Sequence, residues 1–167
     1  MLLTQLFRTL VDQAGKINMQ MPDLDDLYAD IILDHYKNPR NQGLIPSATL
    51  NAEGFNPFCG DQVKLSISLE TNGTISNVGF EGEGCSISQA SASIMTDLLI
   101  GKNLEQASLL NNTFRQLMSG NTISELTELD IGELAALEGV KEFPVRIKCA
   151  LLPWATLVDA MNQYHQT

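Results

Sequence analysis

The sequence predicts a single α+β domain, a three-stranded antiparallel sheet packed against several helices. Three observations lead there. Val63, Leu65, Ile67 and Leu69 alternate with Lys64, Ser66, Ser68 and Glu70, the two-residue period of a strand with one buried face. Asn72-Gly73 follows at once, a pair that tolerates the positive φ angles of hairpin turns, and Ile75 to Glu81, with Val78 and Phe80, reads as the returning strand. On both sides of this β section the apolar residues recur at helical spacing instead. The 167 residues, 44% of them apolar, suffice for one domain with its own core.

Residues 1–23 read as an N-terminal extension. Leu2, Leu3, Leu6, Phe7, Leu10 and Val11 predict a short amphipathic helix within residues 1–20, and Met19 and Met21 are candidate alternative starts. The domain proper is expected over 24–167. Its first helix should run from about Leu24 to Lys37, because Pro39 disfavours helix at Asn38. Leu27, Ile31, Tyr28 and Ile32 are expected on one face of it, with Asp23, Asp25, Asp26, Asp30 and Asp34 mostly outward. A loop over 38–43 leads to a strand near Thr49 to Phe55, the third of the sheet.

After Cys85 the Ser- and Ala-rich stretch Ser86 to Ile100 predicts a helix that packs closely on the sheet and is ended by Gly101. Asn103 should cap the next helix, to about Met118. Residues 119–142 hold six acids and Lys141 as the single base. With Leu126, Leu129, Leu134 and Leu137 they read as an acidic helical insertion, one or two short helices on an outer surface. A last helix is expected from near Ala150 to about Tyr164, with Pro153 in its first turn.

The net charge of −10 argues against a nucleic-acid partner, which would require a basic stripe, and favours attraction to basic protein surfaces. No run is long and apolar enough to span a bilayer, so no membrane partner is expected. The N-terminus lacks a basic region and a small-residue cleavage site. Unpaired thiols without an export signal point to the reducing cytoplasm.

Chemistry is concentrated in three cysteines, an odd number that excludes a complete internal disulfide set. Cys59 lies in Pro57-Phe58-Cys59-Gly60-Asp61, Cys85 ends a glycine-rich turn, and Cys149 precedes the expected last helix. Cys85 and Cys149 are thereby expected at helix N-termini, where N–H groups and the macrodipole favour thiolate. Three thiolates and Asp61 would close a tetrahedral zinc site, or leave one thiolate displaceable for chemistry. However, 25 residues separate Cys59 from Cys85 and 63 separate Cys85 from Cys149, unlike the close pairs of zinc fingers. Three unrelated buried cysteines are an equally weighted reading of the spacing alone.

Four segments together carry a resemblance: Ile32-Leu33-Asp34-His35-Tyr36-Lys37-Asn38-Pro39-Arg40-Asn41, Asn56-Pro57-Phe58-Cys59-Gly60-Asp61, Gly84-Cys85-Ser86-Ile87-Ser88 and Arg146-Ile147-Lys148-Cys149-Ala150. Over roughly residues 24–165 the chain resembles the IscU/SufU (NifU N-terminal-like) family of iron–sulfur cluster assembly proteins, and within it the SufU branch. The IscU branch has a His before its third Cys, where this chain has Lys148, and the stretch between Gly101 and Arg146 is long, as in SufU-type members.

The resemblance implies a zinc site made by Cys59, Asp61, Cys85 and Cys149. The four anionic ligands would leave a net negative charge, which Arg146 and Lys148 could offset; both are also ordinary solvated cations. It implies zinc-dependent sulfur transfer from a SufS-like cysteine desulfurase, a partner His replacing Cys59 on the metal so that Cys59 attacks the persulfide. Asp61, a hard oxygen ligand, would make the site more labile than an all-thiolate one. Arg146 is the candidate for stabilising the developing thiolate. Downstream iron–sulfur assembly proteins would then be further partners.

Two other readings stand beside this one. The same residues would hold a transient [2Fe–2S] cluster on an IscU-like scaffold, which the missing His at position 148 counts against. A structural-zinc adaptor would need no thiol chemistry at all. His35 and His165 read as ordinary helix residues, Leu151 and Trp154 as core or partner rim, and the acidic 119–142 stretch as a solvated face or a docking surface. No Ser/His/Asp set, Walker loop or dinucleotide fingerprint is present.

Overall fold

The computed structural model describes residues 24–122 and 130–167, so the expected 1–20 helix, Leu126 and Leu129 lie outside the described residues. Helix α1 (Leu24–Lys37) leads into strands β1 (Leu50–Asn56), β2 (Asp61–Leu69) and β3 (Ile75–Glu83), then helices α2 (Ser86–Leu99) and α3 (Leu104–Met118). A 3-10 stretch over Gly132–Glu142 and the long helix α4 (Pro144–Gln166) complete the chain. The sheet has the order β1-β2-β3 and both pairings are antiparallel.

Period-two alternation sets the sheet's faces. Leu50, Ala52, Val63, Leu65, Ile67, Ile75, Val78 and Phe80 are buried under the helices, while Asn51, Glu53, Gln62, Lys64 and Glu81 face outward. Helix α4 packs on β1 and β2 and against α2; α1 packs on α2 and on the 3-10 stretch. The core is closed by Trp154, wholly buried with its ring centroid 5.2 Å from that of Phe114. Among the described residues no helix is long and apolar enough to cross a membrane.

The caps follow the sequence. Asn103 accepts from the Gln106 N–H while the Gln106 side chain accepts from the Asn103 N–H, a reciprocal capping box. Gly101 (φ 84°) takes the left-handed conformation just past α2.

Four expectations are corrected. The β2–β3 hairpin forms at Thr71–Gly73, but only Gly73 has positive φ (83°), not Asn72. Gly73 N–H donates to the Glu70 carbonyl and Glu70 N–H to that of Thr74, so the loop is a three-residue turn with a bulge, and the register shifts between Ser68 and Leu69. On α1 the inward stripe is Tyr28, Ile31, Ile32 and His35, leaving Leu27 46% exposed. The described part of the acidic insertion is not merely an outer surface: Leu134, Ala136, Leu137 and Val140 enter the core.

The largest correction concerns the last helix, which begins at Pro144 rather than near Ala150. Proline at the first helical position lacks only an N–H that would have no partner there, and its φ suits the helix. Pro153 therefore lies in the interior, where it cannot donate to the Cys149 carbonyl, at a cost of about 3 kcal/mol. Burial of Leu152, Trp154, Leu157 and Met161, at roughly 1.5–3 kcal/mol for each large side chain, outweighs that.

Candidate metal centre

The β1–β2 hairpin builds the centre. Asn56 and Asp61 are the last cross-strand pair, and Pro57 to Gly60 form the loop between them. Asn56 closes it from both ends: its carbonyl accepts from Gly60 N–H at 2.8 Å and its side-chain Oδ1 from Phe58 N–H at 3.1 Å. Gly60 (φ 70°) supplies the left-handed residue that turns the chain back into β2. Cys59 is thus held at the exposed tip of a tight loop, and Asp61, the first residue of β2, points inward and is 1% exposed.

Cys85 stands immediately before α2 as its N-cap, as the sequence suggested, with its thiol exposed. Cys149 does not begin a helix. It lies in the second turn of α4 and is buried at 3% exposure, so of these two cysteines Cys85 alone stands at a helix start.

The four residues converge. Cys59 Sγ lies 3.0 Å from Cys149 Sγ and 3.4 Å from Asp61 Oδ2. Cys85 Sγ lies 3.5 Å from the same Oδ2, and the Cys85 N–H donates to Asp61 Oδ1 at 3.1 Å. One donor atom each from Cys59, Asp61 and Cys149 lies within 4.8 Å of the others; Cys85 adjoins this trio through Asp61. Ligands of a tetrahedral zinc, bound at about 2.0–2.3 Å, sit roughly 3.3–3.8 Å apart, so Cys59, Asp61 and Cys149 are spaced close to what such an ion needs, and Cys85 meets that spacing to Asp61. The chemistry of the set, soft thiols with one carboxylate, suits zinc or an iron–sulfur cluster.

Electrostatics distinguish the members. Burial pushes the Asp61 carboxyl up, but the Cys85 N–H and the thiols of Cys149, Cys59 and Cys85 more than offset this and hold it below the ordinary carboxylate value. Burial, with the neighbouring Cys59, Asp61 and Cys85, pushes the Cys149 thiol far above the usual range. Without a cation the centre therefore keeps Cys149 protonated.

Glycine permits the close fit. At Gly84 an added Cβ would meet Asp61 Oδ1 at 2.6 Å and Ser88 Oγ at 2.7 Å, so only glycine lets β3 pass the carboxylate on its way to Cys85.

The nearby cations are on the rim. Lys148 Nζ lies 3.7 Å from the centroid of the Phe58 ring, tying the Cys59 loop to α4. Arg146 is exposed, with its guanidinium 5.8 Å from the Phe143 ring, and no hydrogen bond joins it to a thiol among the described residues. Phe58, Phe143 and Val145 are also exposed around this rim.

Sequence reasoning missed two residues. Asn56 was quoted only as part of a motif, yet its Nδ2 donates to Cys59 Sγ at 2.8 Å and reaches to 3.9 Å from Cys149 Sγ. An Asn just before Pro57 marks a residue that can cap the turn, but that signal does not reveal its sulfur partner. His35 is wholly buried, its Nδ1 2.7 Å from Ser93 Oγ and its Nε2 2.7 Å from Glu133 Oε2, and so ties α1 to α2 and to the insertion. It stands apart from the thiols, as expected.

Known proteins resemble the chain over most of its length. Residues 27–165 match the family described as NifU-like N terminal domain. The zinc-dependent sulfurtransferase SufU of Bacillus subtilis (strain 168) is 44% identical over 135 residues, covering 81% of this chain and 89% of that protein. The iron–sulfur cluster assembly scaffold protein IscU of Streptococcus pyogenes serotype M1 is 36% identical over 148 residues, covering 87% and 89%. Among solved structures, one described as an iron–sulfur cluster assembly scaffold protein for the SUF system, from Fervidobacterium islandicum AW-1, aligns with a TM-score of 0.72 at 34% identity, over 83% of this chain and 99% of that one.

Proposed function

Because the chain belongs to the NifU-like N-terminal domain family, we propose that it serves iron–sulfur cluster assembly as a zinc-dependent sulfurtransferase, receiving persulfide sulfur from a SufS-like cysteine desulfurase. The observation that carries this reading is the convergence of Cys59, Asp61 and Cys149, with Cys85 beside them, at a surface where Cys59 alone is mounted on a loop tip. The likeness to SufU of Bacillus subtilis and the Lys148 in place of His support the sulfurtransferase over the scaffold.

Cys59, Asp61, Cys85 and Cys149 would hold the zinc. When bound, the ion keeps the thiols ionised and restrains their nucleophilicity until it is needed. The chain's own residues do the rest. Cys59 Sγ attacks the outer sulfur of the partner's persulfide, forming a new S–S bond on Cys59 as the partner's S–S bond breaks and its cysteine leaves as thiolate. Exposure of Cys59 admits the persulfide, and burial of Cys149 keeps that thiol out of the exchange. Arg146, on the first turn of α4 and without an ion pair among the described residues, is assigned to stabilising the thiolate freed in this exchange.

The test is metal analysis of the purified chain together with a desulfurase assay run with and without zinc. One zinc per chain and zinc-dependent stimulation are expected; stimulation by the metal-free chain would remove the reading. The IscU-named relatives favour a second reading, a [2Fe–2S] scaffold on the same four residues. Anaerobic reconstitution decides between them, since a stable brown chromophore that passes to an apo-acceptor is expected only of the scaffold.

A further inference from the structure

We propose that Asn56 is a positioning residue for the sulfur-accepting thiol, its amide N–H holding Cys59 Sγ in place when that sulfur carries charge or a transferred sulfur atom. The inference rests on the sulfurtransferase reading and adds a residue to it. The geometry fixes the amide's orientation without ambiguity of the oxygen and nitrogen ends. Phe58 N–H must donate, so the amide atom 3.1 Å from it is Oδ1, and the NH₂ group is the one turned to sulfur. That group lies 2.8 Å from Cys59 Sγ and 3.9 Å from Cys149 Sγ. Asn56 is 6% exposed, so water cannot readily replace the thiols as its partners. A buried amide donor held by its own backbone turn is a preorganised hydrogen-bond donor for anionic sulfur, and hydrogen bonds to charged groups are the strong ones.

The residues around Cys59 divide accordingly. Asp61 is a carboxylate facing the same sulfur at 3.4 Å and repels it when both are ionised. Lys148 lies over the Phe58 ring and Arg146 near the Phe143 ring, and neither hydrogen-bonds Cys59 among the described residues. Asn56 is therefore the neutral donor that meets Cys59 Sγ, where that sulfur lies 3.0 Å from Cys149 Sγ and 3.4 Å from Asp61 Oδ2. During transfer Cys59 thiolate attacks the sulfane sulfur of a persulfide R–S–SH, a Cys59 S–S bond forms, the donor's own S–S bond breaks, and R–S⁻ departs and takes up the proton of the transferred SH. The Cys59 persulfide that results is itself an anion for the same amide to hold.

Asn56→Asp separates the donor from the turn. The carboxylate still accepts from Phe58 N–H, but offers no N–H to sulfur. Asn56→Ser is the second variant, a short, neutral residue that can cap the turn yet does not reach Cys59. Zinc-loaded full-length chains are treated with cysteine persulfide, and the sulfur atom gained at Cys59 is followed by peptide-resolved mass spectrometry, with thermal melting alongside. Both variants are expected to fold and to take sulfur on Cys59 more slowly, by roughly tenfold to a hundredfold for Asn56→Asp. Wild-type rates in a folded Asp or Ser variant would overturn the proposal and leave Asn56 as a turn residue only. A zinc-loaded wild-type chain that takes no sulfur on Cys59 would instead refute the sulfurtransferase reading itself.

Discussion

Replacing Gly84 by alanine should disable the centre without touching a ligand. Gly84 does not have the left-handed φ that penalises alanine, so the effect comes from the added methyl alone. That carbon would stand 2.6 Å from Asp61 Oδ1 and 2.8 Å from Asp61 Cγ, whereas ordinary contact begins at 3.4 Å. The carboxylate must therefore retreat by about 0.8 Å, several times the ~0.2 Å within which metal–ligand distances are held. It has little room to do so: Asp61 is 1% exposed, and its Oδ1 accepts the Cys85 N–H. Ser88, the third neighbour, can rotate away and relieves nothing at Asp61. Displacing a ligand's support costs about tenfold to a hundredfold in metal affinity, or about 1.4–2.8 kcal/mol. The assay is competition for zinc against a chromophoric chelator, with Gly139→Ala as control, because a Cβ at Gly139 meets nothing within 4 Å. Zinc affinity within twofold of wild type in a folded Gly84→Ala chain would refute the reasoning, since Asp61 would then not be the placed ligand the geometry describes.

Other expectations follow from the same contacts. Cys59→Ala should abolish stimulation of the partner desulfurase, read as sulfide or alanine release, and unchanged stimulation would remove Cys59 as the acceptor. His35→Ala deletes a wholly buried ring with two 2.7 Å hydrogen bonds and should lower stability by about 2–4 kcal/mol in urea melts while zinc binding persists; an unchanged midpoint would show that the contact carries no stability. Asp61 gives the metal-free chain a pH dependence. Its folded-state pKa lies below the ordinary 3.8, so its contribution is present above that pH and is lost as the pH falls through the lower folded value; Asp61→Asn should flatten this part of the acid-unfolding curve, and an unaltered curve would refute the assignment.

What the sequence disclosed, and what it hid, divides along physical lines. The strands were legible because one face is buried and the other wet, so Val63, Leu65 and Ile67 mark their own period. Asn103 and Gly101 were legible because capping is local chemistry. The start of α4 was not: two prolines, Pro144 and Pro153, both suit a first turn, and only tertiary burial of Leu152, Trp154 and Leu157 carries the helix through the second. His35 and Asn56 were hidden for a different reason. Their partners Ser93, Glu133 and Cys59 are set by the fold or by side-chain rotamers, and neither can be read from residue type.

Moving Cys149 from a helix start into a helix interior changes what the three thiols can share. Had Cys85 and Cys149 both capped helices, two dipoles would favour thiolate and either could serve as nucleophile. As placed, Cys149 is buried and held protonated in the absence of a cation, so it is suited to anchoring a metal and ill suited to meeting a partner. Cys85 is exposed, but it is the helix N-cap and its backbone is committed to Asp61. Cys59 alone combines exposure with a place at a loop tip and a neutral donor, Asn56, against its sulfur. Exposure at a loop tip thus supports the proposed assignment of Cys59 as acceptor, first implied by resemblance.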